Sequence, residues 1–465
     1  MDALLSTGAL PVQSTGYDID NSVKLQDTNT EYLQRPASGS DGDRRTMTLS
    51  MWIKRTQPGN DHIFYSQGSH VRFRWKSSDY FSLRLANGHE FEHQARKFRD
   101  PSAWYHLVVA IDTTQGTASN RVKIYWNGIQ ETTLPDENNP PDQNEELTLG
   151  QFSSVTTQVG WFVEGGYGLD GYIAEVNYID GIQQAVTEFG EFDEDSGIWK
   201  PKKYTGSYGS EGFYLNFDNS SSMGADSSGN GNNFNLNNVS AADQATDTPT
   251  NNFTTFNVLR RYNQGWVSFK EGATNVVTGS GNNWTTIFNT MAVNKGKWYF
   301  EGELYSNEIT QMFGQQPQAF TEQNVNTDWY LGAAADKTKG AAYYGSGDDV
   351  YYEGGYVNSS ASTGGDIISV AMDCDNNKVH FAVNGSWTNS SDPANNTNGF
   401  AMLDDYQYFA TALYPGSATW KYNFGGYTTI SISSAANDAN GYGTFEYAPP
   451  SGYYSLCTKN LAEYG

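Results

Sequence analysis

The chain is predicted to be all-β, two antiparallel β-sandwiches in tandem, and three observations carry that prediction. Val122-Lys123-Ile124-Tyr125-Trp126-Asn127-Gly128-Ile129-Gln130-Glu131 and Lys378-Val379-His380-Phe381-Ala382-Val383-Asn384-Gly385-Ser386-Trp387 both read strand, Asn-Gly, strand. Asn-Gly between β-formers is a strong hairpin signal, because both central residues of a type I′ turn need positive φ. Each hairpin also follows an apolar strand with an acidic end, Leu107–Asp112 and Ile367–Asp373, so one supersecondary unit occurs twice, more than half the chain apart. Finally, 465 residues with 14% aromatic but only 37% hydrophobic content, and 48 glycines, suit thin cores of few, large side chains joined by many turns.

In chain order, residues 1–16 are small, polar and aperiodic, and read as an N-terminal arm. The first sandwich is expected over 17–245. Thr46–Lys54 alternates with period two, as a half-buried strand should. His62–Ser66, Val71–Trp75 and Tyr80–Leu85 follow, separated by Gly, Ser and Asp. After the Asn127 hairpin come an acidic, Pro-rich loop (Pro135–Glu146), Leu147–Gly150 and a closing strand, Gly171–Asp180. Asp218–Asn238, rich in Ser, Gly and Asn, reads as a long irregular loop. A linker is expected over 246–262. The second sandwich, 263–465, has predicted strands at Trp298–Glu303, Trp329–Ala333, the Asn384 hairpin and Tyr408–Leu413.

Net charge is −24, a balance that disfavours nucleic acid and anionic lipid as partners. No apolar run is long enough to span a bilayer. Met1–Ser6 lacks the basic start and apolar run of a secretion signal. Cys374 and Cys457 cannot make a disulfide framework and are expected to be buried thiols in a protein assembled in a reducing cytoplasm.

Several segments resemble known families. Met51-Trp52-Ile53, Trp104-Tyr105-His106-Leu107, Tyr125-Trp126-Asn127-Gly128 and Asp170-Gly171-Tyr172-Ile173-Ala174-Glu175 resemble the laminin-G/concanavalin-like family. Gly296–Glu301, Gly365-Asp366-Ile367-Ile368, Asn384-Gly385-Ser386-Trp387 and Asn423-Phe424-Gly425 resemble the SPRY family. The resemblance implies two concanavalin-like (jelly-roll) sandwiches. The connectors Phe189–Lys202, Asp226–Asn232 and Asp247–Phe253, with the ending Pro449–Leu461, resemble marine bacteriophage virion proteins of the tail-fibre or capsid-fibre type.

Catalytic chemistry finds little support in the residues. The acidic cluster Glu188, Glu191, Asp193, Glu194 and Asp195 runs into Ser196-Gly197 and reads as a solvated turn, not a carboxylate pair on one strand face. His62, His70, His89, His93, His106 and His380 form no helical metal motif, and no Gly-x-Ser-x-Gly elbow is present. The chain is expected not to be an enzyme. Asp218 and Asp226, in a loop with oxygen ligands at alternating positions, are the best candidates for calcium, which laminin-G-like domains often carry. Tyr343, Tyr344, Tyr351, Tyr352 and Tyr356, on Gly-rich loops beside acids, are the leading ligand-binding candidates, with Trp126 and Trp161 in the first sandwich. Such rings stack on the C–H faces of sugars.

The expected role is a virion structural protein, a tail-fibre or receptor-binding subunit that contacts a host surface glycan or glycoprotein. It would be anchored to other virion proteins through its arm and displayed as a homo-oligomer, with weak sites multiplied by multivalency. The alternatives are a capsid decoration, capsid fibre or tail adaptor that binds only virion proteins, and a polysaccharide depolymerase.

Overall fold

The computed structural model describes residues 16–86, 88–132, 137–261, 266–281, 284–305, 310–318, 330–333, 340–358, 361–414 and 416–465. The arm, save Gly16, lies outside them, as does Trp329 of one predicted strand, whose described part is a turn at Leu331-Gly332. Strands dominate, and one α-helix is present among the described residues, Thr458–Tyr464.

The chain divides between Asn251 and Asn252. That boundary falls inside the predicted linker, but the tract is no linker: Asp247 and Thr248 are buried in the first unit, and Phe256–Arg261 is an edge strand of the second.

In the first unit one sheet runs Ile129–Gln130, Val122–Trp126, Trp104–Asp112, Thr46–Arg55, Gly171–Asp180, Ser22–Leu25, Gln244–Ala245, with Phe213–Leu215 also along Gly171–Asp180. The second runs Glu137–Asn138, Glu90–Glu92, Phe81–Arg84, Val71–Trp75, His62–Gln67, Thr157–Val159, Tyr32–Arg35, Asn235–Asn237. The last of these corrects the expected irregular loop. Asn235–Asn237 pairs with Tyr32–Arg35 through backbone groups, which need no β-forming side chains. Between the sheets lie Met51, Ile53, Leu107, Val109 and Ile173 from one and Phe64, Phe73, Trp75 and Leu83 from the other.

The second unit has a seven-stranded sheet in the order Phe256–Arg261, Thr285–Asn289, Gln407–Leu413, Gln311–Pro317, Ala341–Tyr344, Asp349–Tyr352, Gly355–Asn358. Facing it is a nine-stranded sheet with Lys297–Glu303, Ile367–Asp373 and Lys378–Val383 at its centre. Phe300, Val370, Phe381 and Trp420 from one sheet meet Ile287, Phe313, Tyr343 and Phe409 from the other.

Both Asn-Gly turns are built alike. Asn127 and Gly128 have φ of 49° and 79°, Asn384 and Gly385 of 47° and 76°. The Asn127 side-chain oxygen accepts the His106 N–H at 2.7 Å, and that of Asn384 accepts the Ile367 N–H at 2.9 Å. In each case the residue tied back lies early in the preceding strand, so Asn supplies a hydrogen bond as well as tolerance of positive φ. An aromatic ring from much later in the chain covers each tip. A Cβ on Gly128 would fall 2.3 Å from the Trp199 ring, and one on Gly385 2.6 Å from that of Tyr447. Gly128→Ala is therefore expected to cost about 1–3 kcal/mol, from backbone strain and displacement of the ring. Calorimetry of the variant checks this, and an unchanged melting temperature would show that the cover is loose.

Candidate functional site

The seven-stranded sheet has two apolar faces, and its outward one carries the candidate site. Along each strand, side chains alternate between faces. Ile287, Phe313, Tyr343, Val350 and Phe409 point into the sandwich. Their neighbours Phe288, Met312, Ala342, Tyr351, Tyr408, Ala410 and Ala412 form a second cluster, with Leu331 packed in it. Register fixes the outward rows. Phe288, Ala410, Gly314, Ala342, Tyr351 and Tyr356 lie in cross-strand succession, and beside them Thr286, Ala412, Met312, Tyr344 and Asp349.

At one side this face becomes a continuous aromatic strip. Tyr356 lies 4.7 Å from Tyr351 and 6.0 Å from Tyr344, ring centre to ring centre. Tyr351 is 5.7 Å from Tyr330, and Trp284 is 5.3 Å from Tyr330, 6.4 Å from Tyr344 and 5.7 Å from Tyr414. Tyr356 is 63% exposed and Tyr414 38%, while Tyr344, Tyr330 and Trp284 are half-buried. Burial pushes the Tyr351 hydroxyl up to about 12, and it raises Tyr356 too, with Tyr344, Tyr330 and Asp349 adding to it. Both therefore stay protonated near neutrality; the Tyr351 hydroxyl donates to the Gly354 carbonyl at 3.4 Å. Apolar ring faces, phenol donors and the Asp349 carboxylate are the groups that a polyhydroxylated ligand uses.

The sequence candidates divide accordingly. Tyr344, Tyr351 and Tyr356 come together in the strip, although Tyr351 is largely buried under its neighbours. Tyr343 does not join them: it is wholly buried in the core on the opposite face. Tyr352 also points inward, with its ring 5.4 Å from Phe400. Trp126 is a core residue, packed on Phe98 and Phe81 at 4.5 and 5.1 Å. Trp161 is buried beside Tyr32 at 5.8 Å. Sequence reading missed Trp284, Tyr330 and Tyr414. Extending the alternation of Thr286 and Phe288, and of Tyr408, Ala410 and Ala412, by one step beyond each strand would have placed Trp284 and Tyr414 on the outward face.

Asp226 does not fit a cation. Its carboxylate accepts the backbone N–H groups of Tyr214, Ser228 and Asn232, all at 2.9 Å, and the Ser228 hydroxyl. It is the hub of a loop, ringed by donors that repel a positive ion. Asp218 is exposed and accepts from the Asn216 side chain at 2.5 Å. Neither belongs to a cluster of three ligating side chains among the described residues.

The acidic cluster is a turn, with Asp193 accepting from the N–H groups of Asp195 and Ser196 and bridged by Lys200 to Glu191. The histidines serve separate purposes. His89 and His93 meet different carboxylates, Glu145 and Glu131. His106 bridges Ser50 and the Trp199 indole, and burial lowers it to about 3.

Residues 27–183 match the laminin-G-type model of the Concanavalin A-like lectin/glucanases superfamily. No curated protein sequence matches the chain. Among similar solved structures is the SPRY domain of human HERC1, at 14% identity and a TM-score of 0.28 over 36% of this chain and 96% of that one.

Proposed function

We propose that the protein is a non-enzymatic virion component of the fibre or receptor-binding kind, and that the aromatic strip of its second sandwich contacts a glycan or glycoprotein on a bacterial surface. The observation that carries this reading is the strip itself. Six aromatic side chains from four parts of the chain converge on the outside of a sheet, with Tyr356 and Tyr414 open to solvent. Tyrosine presents a large stacking face with only two torsions to freeze, so it binds at low entropic cost. The lectin-type family match of the first sandwich and the phage-like connectors favour the same class of role.

Tyr356→Ala with Tyr414→Ala is expected to lower adsorption of the purified chain to host cells at least tenfold, with the melting temperature nearly unchanged, since both rings are exposed. Unchanged adsorption would remove the strip from recognition. Tyr343→Ala is the contrasting control, expected to melt early because it opens the core.

A further inference from the structure

On the outward face of the first sandwich's Thr46–Arg55 sheet, the cross-strand row Trp104, Lys54, Tyr172 holds an amine and a carboxyl out of water. Lys54 Nζ lies 2.6 Å from Asp247 Oδ2, with the two side chains 0% and 1% exposed. We propose that these two side chains are joined by an intramolecular isopeptide bond.

The surroundings supply what the reaction needs. The Trp104 indole N–H donates to the other oxygen, Asp247 Oδ1, at 3.0 Å, and so draws electron density from the carboxyl carbon and is placed to hold a developing oxyanion. The Tyr172 ring closes one side, 5.7 Å from Nζ. An amine hydrogen-bonded to one carboxyl oxygen lies close to the roughly 3–3.5 Å reach of a near-attack conformer. Asp100 stands within electrostatic reach of Lys54, its carboxyl raised by burial and held by the Ser102 N–H and hydroxyl at 2.9 and 2.6 Å.

The step balances without any co-reactant. Proton transfer across the Lys54–Asp247 contact gives an amine with a lone pair and a carboxylic acid. The nitrogen attacks Cγ of Asp247 and forms the C–N bond, and Asp100 takes the proton that nitrogen sheds. Asp100 then returns that proton to the departing hydroxyl, the C–O bond breaks, and one water leaves.

The bond would tie the strand Thr46–Arg55 to the end of the same unit, 193 residues on, in a protein whose two cysteines form no disulfide. The test is the mass of the whole purified chain in denaturant, followed by digestion. The expected mass is one water below that of the sequence, with Lys54 and Asp247 recovered in one branched peptide. Lys54→Arg is expected at its full sequence mass, and Asp100→Asn, which keeps both reacting groups, at full mass or with the loss incomplete. A wild-type chain at full mass overturns the proposal and leaves an ion pair. Water loss mapped to any other residues overturns it equally, and complete water loss in Asp100→Asn overturns the role given to Asp100.

Discussion

Trp126→Ala is expected to destabilise the first sandwich by about 3–5 kcal/mol, the upper range for emptying a core aromatic site. The ring is 1% exposed and touches Phe98, Phe81 and Trp75 at centroid distances of 4.5, 5.1 and 6.0 Å. Phe81 and Trp75 come from adjacent strands of the facing sheet and Phe98 from a loop, so neither strand residue can collapse into the vacancy without moving its own strand. Urea unfolding of the full chain should show the first unit's transition at much lower denaturant, with the second unit's unmoved. Trp126→Phe should lose less than half as much. Loss of a few tenths of a kcal/mol for the Ala variant would refute the packing account.

Glu175→Gln is expected to remove a pH dependence of comparable size. Glu175 sits at a bulge of the strand Gly171–Asp180, with φ of 54°, and accepts the Tyr214 hydroxyl at 2.7 Å, which in turn meets Tyr17. Burial, the leading cause, pushes its carboxyl from 4.5 up to about 7. Between those values the folded chain holds a proton that the unfolded chain has released. The resulting stability is complete at pH 4 and is lost as pH rises through 7, about 3 kcal/mol in all. Glutamine keeps the acceptor oxygen without the charge, so the variant should be the more stable at pH 8 and similar to wild type at pH 4.5. Denaturant midpoints at the two pH values decide it, and parallel pH profiles would show that the carboxylate is solvated.

Strand positions were legible wherever alternation was strong. Val71–Trp75, Gly171–Asp180 and Ile367–Asp373 lie where their patterns put them. The inward side was not legible in the tyrosine-rich strands, for a physical reason. Ala341–Tyr344 and Asp349–Tyr352 carry apolar side chains on both faces, so period two says that Tyr343 and Tyr344 oppose each other but not which faces the core. Trp126 could have been placed, because Val122, Ile124 and Trp126 share a parity. Asn235–Asn237 could not, because it pairs through its backbone at a sheet edge. Trp199 and Tyr447, which cover the two turn tips, come from segments without period and had no sequence signal.

Those late-arriving covers bear on the order in which the protein is made. The strand Ser22–Leu25 must wait for Gly171–Asp180 on one side and Gln244–Ala245 on the other, and the Asn127 tip waits for Trp199. At about 5–20 residues per second, synthesis leaves a half-built sheet with open edges for many seconds. Non-local pairing of this kind is slow and exposes strand edges to neighbouring nascent chains. Yield of soluble protein should therefore respond to translation speed and temperature more than to the final stability of the folded chain.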